Sequence, residues 1–482
     1  MGSARMRGTD AKTGATGLIG LVLTVFLFQT LLENYIFETS YIDEGLAAFF
    51  FCFFVLEVIT GWEISVRDLL VCVLVLLIMA AGVYGNVRFG IQEHKAAILL
   101  DIVSHFKFAA IFLGVRSFVK THSVDYARAI RVPVFLAKIY LTVLFVFGVL
   151  NLFVNLGMYG EIRYGMRAYA FVFGTPGIVT NTVLYIFMLL FMESALCPGK
   201  GNTVFLAMAE SLMLMVLKSR SFILAAAILM LYETLIIERK KSISTRLVVI
   251  GAVGGLIGYP QYQNYFVNGV TANTGQSARQ LFWQNGIELF KEHFPFGTGF
   301  GTFGSGTAAS YYSNLYYTLG FNNIAGMQPD NTKFLNDTFW PMIFAQLGLV
   351  GTIPYTVLLL FILYEICRKG KETGNGHIML AVYMYAINVL FSSIQSSYPG
   401  NNSMVMLTFI ATLMPFCAGL AEEAELGAPV GSVAPGGPAA PGGPAVPGGP
   451  AVPGRPVGPN SPGVTNAPAS PVAPGNGGAG WS

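Results

Sequence analysis

Long apolar runs separated by short polar joins dominate the chain. Twelve such runs fall at roughly 16–32, 45–62, 68–85, 96–115, 133–156, 176–194, 202–218, 221–237, 246–264, 338–364, 377–396 and 403–420. Each is close to the ~20 apolar residues that carry a helix across ~30 Å of hydrocarbon. The pattern predicts an all-α membrane protein of about twelve spans. The first run lacks a small-residue cleavage site and reads as an uncleaved anchor. Residues 1–15 then form a short N-terminal tail and 16–420 one polytopic domain.

Two segments break the rhythm. Residues 265–337 form a single long loop, rich in aromatic residues such as Phe282, Trp283, Phe290, Phe303 and Tyr316. That content argues against disorder and for a loop folded as short helices against the membrane domain. Its stretch 278–292 places Phe282, Gly286 and Phe290 at helical spacing, which predicts an amphipathic helix. Residues 421–482 are Ala, Gly, Pro and Val with a repeated Pro-Gly-Gly-Pro-Ala hexad, and read as a disordered, extended tail.

Composition sharpens this picture. Only 11% of residues are charged and mean hydropathy is +0.60, against about 25% charged in soluble domains. An ordinary soluble enzyme and a nucleic-acid binder are excluded. The five cysteines, Cys52, Cys72, Cys197, Cys367 and Cys417, are scattered and form neither a disulfide framework nor a metal cluster. With the N-terminus inside, inner segments hold about twice as many Lys and Arg as outer ones. Both termini are therefore expected on the cytoplasmic side, and the long loop outside. Arginines that remain outside, among them Arg163, Arg167, Arg220 and Arg279, call for a reason.

Four motifs stand at the loop side. Arg279 is followed by Trp283 and then by Pro295-Phe296-Gly297-Thr298-Gly299-Phe300-Gly301-Thr302-Phe303. Alternate glycines let a backbone turn tightly or approach closely. No βαβ pattern or P-loop Lys-Ser/Thr accompanies them, so a nucleotide cradle is not implied. Arg167-Ala-Tyr-Ala-Phe-Val-Phe-Gly174-Thr-Pro176-Gly177 precedes the sixth run, Lys218-Ser219-Arg220 joins the seventh to the eighth, and Asp337-Thr-Phe-Trp340 through Gln346-Leu-Gly348 opens the tenth.

In order and topology these motifs resemble the O-antigen ligase and O-antigen polymerase superfamily of bacterial surface-polysaccharide assembly, over roughly residues 15–420. The resemblance implies a GT-C-type membrane glycosyltransferase in the bacterial inner (plasma) membrane. Its donor would be a polyprenyl-diphosphate-linked oligosaccharide, with membrane lipid around it and a chain-length regulator and flippase as pathway partners. No nucleotide sugar, metal, cofactor or nucleic acid is implied. Ligases of the superfamily usually carry a His near the start of the last motif. Here Asp337 stands there, with Asn336 before it, which favours the polymerase branch.

The chemistry fits these residue types. A polyprenyl diphosphate leaving group gains negative charge in the transition state, and fixed guanidinium groups stabilise it most at that point. On this reading Arg279 and Arg167 are catalytic cations and Asp337 takes the acceptor proton. Arg220, Arg163, Trp283, Gly297, Gly299, Gly301 and Asn336 surround the substrate. Plainer roles stand beside these. Arg279 and Arg220 can anchor at headgroup level, Arg163 can replace Arg167, Asp337 can cap a helix, and the glycines and Trp283 can set shape alone. Asp330, Glu288 or His293 can replace Asp337 as base. Tyr311, Tyr312, Tyr316 and Tyr317 can be packing. Within the fourth run, Asp101 and His105 lie i, i+4 and read as a satisfied pair, with Lys107 also inside the membrane. Glu57 and Glu210 read as isolated polar groups.

Overall fold

In the computed structural model the apolar runs become helices and the polar joins their ends. Residues 2–37, 41–61, 64–158, 161–163, 165–197, 199–240, 242–263, 277–395 and 400–426 are described, all within the compact unit Met1–Ala428. The helices are α1 (Gly2–Leu32), α2 (Ile42–Ile59), α3 (Val66–Phe89), α4 (Lys95–Thr121), α5 (Tyr126–Ala129), α6 (Arg131–Phe153), α7 (Pro176–Leu196), α8 (Thr203–Met215), α9 (Ser219–Tyr232) and α10 (Ser244–Tyr262). The long loop adds α11 (Ala278–Glu292), α12 (Gly306–Ser310) and α13 (Asn314–Thr318), and α14 (Trp340–Glu372), α15 (Gly376–Gln395) and α16 (Asn402–Leu426) follow. A two-residue ribbon, β1 (Ile162–Arg163) and β2 (Met166–Arg167), lies between α6 and α7.

Among the described residues, eight helices are long and apolar enough to cross a membrane, and three more are apolar but shorter. Helix α2 adds an 18-residue apolar stretch that holds Asp43, Glu44 and Glu57. Together they match the twelve predicted runs in order. Helix α1 already starts at Gly2, ahead of the first predicted run, and residues 2–15 contain no proline. The predicted tail lies outside the described residues from 427 on, and 264–276 of the long loop does too. Helix α7 is buried on every side, against α1, α6, α8, α15 and α16, which suits its apolar circumference.

The alternate-glycine segment has a structural job. Helix α14 is broken at Gly348, whose backbone (φ 56°, ψ −161°) is non-helical. Segment 295–303 fills that break. Thr298 N donates to Ala345 O at 2.8 Å, Gly299 N to Gln346 O at 2.9 Å, and Val350 N to Pro295 O at 3.1 Å. On the other side it is gripped by α3 and α4. Asn86 of α3 donates from Nδ2 to Phe300 O and accepts Phe300 N at Oδ1, both at 2.8 Å. Asp101 Oδ2 of α4 accepts Gly301 N at 2.6 Å, and Gln92 Nε2 donates to Gly301 O at 2.6 Å. Inside a membrane domain, backbone that leaves a helix has to find partners within the protein, and these bonds supply them.

The rest of the described loop folds as expected, as short helices with their own core. Phe282, Leu289, Phe303, Leu315, Tyr316, Phe321 and Leu335 form it. Tyr316 is buried and its hydroxyl accepts Gly304 N at 2.9 Å, while Tyr312 Oη donates to Met327 O, so these two tyrosines pack the loop. His293 ends α11, with Nδ1 3.1 Å from Leu289 O and its ring edge-on to Phe89.

At the opposite end of the helices, charges are paired. Asp68 meets Arg116 at 3.2 Å and Lys120 at 3.4 Å, and Glu365 meets Arg67, Arg116 and Arg368. Glu57, expected to be isolated, accepts from Ser117 and pairs with Lys120 at 3.4 Å: a side chain on a neighbouring helix supplied the partner. Lys107 is held by Asp43 and Glu44 of α2. Glu210 stays as expected, both oxygens buried without a partner among the described residues.

A Cβ at Gly348 would overlap the backbone of Pro295, Phe296 and Gly297, and its φ is left-handed. Gly348→Ala is therefore expected to cost roughly 1–3 kcal/mol in backbone strain alone. Gly258→Ala, in α10, meets nothing within 4 Å and serves as control. Thermal unfolding in detergent should show a clear loss for the first and none for the second; equal melting temperatures would mean that the break is not constrained as described.

Candidate functional site

Three separate stretches, the last from the long loop itself, come together at one end of the helices. The first is the β1–β2 ribbon. Buried Tyr169 fixes it, its hydroxyl donating to Leu144 O at 2.8 Å and its N–H to Met215 O at 3.2 Å. In the ribbon Ile162 pairs with Arg167 and Arg163 with Met166. Cross-strand partners share a face and neighbouring pairs alternate, so Arg163 and Arg167 point to opposite faces. Arg163 turns to the α8–α9 junction. Its Nη1 donates to Leu217 O at 3.3 Å and its Nε to Glu161 at 2.6 Å.

The junction itself is the second stretch. Leu217 takes a left-handed φ of 55°, which sets Lys218 and Arg220 at the start of α9. Buried Arg220 donates to Ser392 Oγ at 3.0 Å, Gly177 O at 2.9 Å and Asn181 Oδ1 at 3.1 Å. A Cβ at Gly177, in the first turn of α7, would lie 3.6 Å from both Arg220 Nη2 and Lys218 Nζ. Two cationic heads thus share one spot at the N-terminal end of α7, whose dipole adds positive potential.

The third is the start of α11. Ser277 caps it, accepting Gln280 N at 3.2 Å, and Gln280 Oε1 accepts Ser277 N at 2.9 Å. That reciprocal cap fixes the first turn and so Arg279. Its Nη2 lies 3.7 Å from Asp337 Oδ2, with 17% and 36% of the two side chains exposed.

The charges act on one another. Burial pushes the Lys218 ammonium down to about 8, and the positive charges of Arg220, Arg163 and Arg279 push the same way against Glu161. Burial also holds the Asp337 carboxyl above its ordinary value, while Arg279, Lys218 and Lys333 pull it down. Arg163, Arg220 and Arg279 therefore surround Lys218 with positive charge, and Lys218 and Arg279 act on the half-buried Asp337 carboxyl. Such a group is electrostatically uncomfortable by itself and complementary to a doubly charged anion such as a diphosphate. Among the described residues, no three His, Cys, Asp or Glu side chains gather as metal ligands.

Of the sequence-predicted residues, the structure brings together Arg163, Arg220, Arg279 and Asp337. Arg167 lies half-buried on the other face of the ribbon from Arg163, its carbonyl accepting Asn151 Nδ2. Gly297, Gly299 and Gly301 take the plainer of the two readings. They are buried, with φ of 77°, 94° and 71°, and the space a side chain would need is filled by α14, α3 and α4. They are shape-determining and do not line the cation group. Trp283 is half-buried with its ring toward Phe344 at 6.0 Å, a packing position. Asn336 is exposed and turns toward a different cavity. Asp330 and Glu288 are exposed.

Lys218 is the residue that sequence reading left out of the site. Its place beside Arg220 in Lys218-Ser219-Arg220 was visible, but its proximity to Arg163 and Arg279 depends on how the ribbon and loop fold over it.

The family model described as O-Antigen ligase matches residues 203–356. That segment runs from α8 through the broken part of α14 and includes Lys218, Arg220, Arg279, the 295–303 segment and Asp337. No curated protein matches the chain. The apolar helices suit a multi-pass membrane protein, and over residues 203–356 the chain is similar to the O-antigen ligase family.

Proposed function

We propose that this protein polymerises lipid-linked oligosaccharide repeat units into a capsule, exopolysaccharide or O-antigen at the outer face of a bacterial inner membrane. The observation that supports the reading is the gathering of Arg163, Arg220 and Arg279 around Lys218, with Arg279 also paired to Asp337. A polyprenyl diphosphate is the substrate class with an anionic head at membrane-surface depth and a lipid tail to reach it.

In the proposed reaction the acceptor hydroxyl attacks the anomeric carbon of the donor sugar. The new glycosidic C–O bond forms as the bond to the diphosphate oxygen breaks. The electron pair leaves on polyprenyl diphosphate, and the hydroxyl proton passes to the Asp337 carboxylate. A carboxyl held above its ordinary value by burial is a better base than an exposed one. The cations hold the departing diphosphate and favour the transition state over the ground state. One displacement inverts the anomeric carbon. The aspartate at the position where ligases carry His supports a polymerase over a ligase.

A direct assay incubates the purified protein with a synthetic polyprenyl-diphosphate oligosaccharide and sizes the products. A ladder of repeat units is the polymerase result. A single transfer to a different acceptor, such as lipid A-core, is the ligase result. Movement across vesicles at constant chain length points to a flippase and overturns the reading.

Arg279→Ala and Arg220→Ala are each expected to lower polymer formation by ~100-fold or more, the loss typical of removing one transition-state charge contact. Arg163→Ala should cost more than Arg167→Ala, since only Arg163 faces the group; the reverse order in initial-rate assays would refute the ribbon geometry. Asp337→Asn should abolish transfer while leaving donor binding intact, and near wild-type rates would move the base elsewhere.

Lys218 gives a pH test. Free, it loses its proton as pH rises through about 8, and a bound diphosphate stabilises the ammonium. Donor affinity should accordingly fall as pH rises above 8, by up to about tenfold per unit. Lys218→Arg, charged throughout, should keep its affinity to pH 10. The same alkaline decline in both proteins would exclude Lys218 from the diphosphate site.

A further inference from the structure

Beside Asn336 lies a cavity of about 150 Å³ lined by Asp101, Ser104, His105, Ser305, Asn336 and Tyr355, among others. Its polar groups are not satisfied from within. His105 is 3% exposed and Asp101 fully buried. His105 Nδ1 lies 2.8 Å from the Asp101 backbone oxygen. A carbonyl only accepts, so Nδ1 carries the hydrogen and Nε2 presents a lone pair. That Nε2 is buried without a hydrogen-bond partner among the described residues, and so is Asp101 Oδ1. The other carboxylate oxygen is occupied by Gly301 N.

Two buried acceptors without donors, on residues that line one cavity, are costly unless something that enters supplies the donors. A cavity of this size holds several waters and leaves room for one sugar ring. Serine hydroxyls and the Asn336 amide complete a wall of hydroxyl-binding groups, and the Tyr355 ring offers an apolar face. Asn336 directly precedes Asp337, so a ring held here sits one residue from the carboxyl proposed as base.

We infer that this cavity is the acceptor-sugar subsite, in which His105 Nε2 and Asp101 Oδ1 accept hydrogen bonds from hydroxyls of the acceptor's terminal sugar. The inference rests on the glycosyl-transfer reading. His105 is a positioning and specificity residue here, with no share in the diphosphate chemistry. Asp101 does two jobs, since it also anchors the 295–303 segment, and His105 is the cleaner residue to change.

The test uses the full-length protein in detergent. The probe is the free repeat-unit oligosaccharide released by mild acid from the producing strain's lipid-linked intermediates, its binding followed by calorimetry or ligand-observed NMR. Wild type should bind it. His105→Leu should weaken binding at least tenfold, His105→Gln, which keeps an acceptor, should recover most of it, and the exposed-residue variant Asn336→Ala should weaken it in the same direction. Polyprenyl diphosphate binding should be unchanged in all three, which also reports that they are folded. Under turnover, the KM for acceptor should rise in His105→Leu with the KM for donor constant. Equal oligosaccharide binding by wild type, His105→Leu and Asn336→Ala overturns the subsite, and so does absence of binding to wild type. Binding that depends on His105 in a protein without transferase activity would instead retain the sugar site and refute the proposed reaction.

Discussion

Everything at the loop end depends on how a broken membrane helix satisfies its backbone. The break at Gly348 leaves peptide groups of α14 without helical partners at a depth where water is scarce. Each unpaired group there costs several kcal/mol. The 295–303 segment takes those groups as its own partners and is in turn clamped by Asn86, Gln92 and Asp101. Alternate glycines are required because backbone meets backbone on both sides: Gly297 against Gly348, and Gly299 against Asn86. One interlocked unit of α3, α4, the segment and α14 results, and it fixes both the entry to α14, where Asp337 stands, and the end of the loop helix that carries Arg279.

The cation group sits on that frame as a second layer. None of its members comes from the same helix turn as another except Lys218 and Arg220. Each is aimed by a local device: a reversed ribbon for Arg163, a left-handed residue before Lys218, a reciprocal cap before Arg279. A group of like charges gathered by so many separate devices opposes folding, and a bound dianion would relieve that strain. The same frame gives Asp101 its double character, because one carboxylate oxygen holds the segment while the other is buried without a partner among the described residues, on a residue that lines the cavity beside Asn336.

Much of the fold was legible in sequence because the bilayer imposes a length on apolar runs. All twelve runs reappear as helices, and the aromatic loop folds as its composition suggested. The site was legible only in part. Arg220, Arg279 and Asp337 could be named because motif order marks them. Arg167 was preferred to Arg163 because spacing along a chain does not reveal which face a two-residue turn presents. The glycines admitted both a substrate-lining and a shape-setting reading because close approach to a ligand and close approach to another backbone demand the same residue. Glu57 looked isolated because its partners, Ser117 and Lys120, are on another helix. Lys218 was overlooked for a similar reason: its significance lies in charges that are distant in sequence.

The central claim is that these cations hold the diphosphate of a lipid-linked sugar. Its most direct test is a cryo-electron microscopy structure of the full-length protein in nanodiscs with a non-hydrolysable polyprenyl-diphosphate sugar. The account predicts diphosphate density within hydrogen-bonding distance of Lys218 Nζ and the Arg279 guanidinium, with Arg163 and Arg220 flanking it and the sugar directed toward Asp337. Diphosphate density elsewhere, with Lys218 and Arg279 facing protein or lipid, would contradict it.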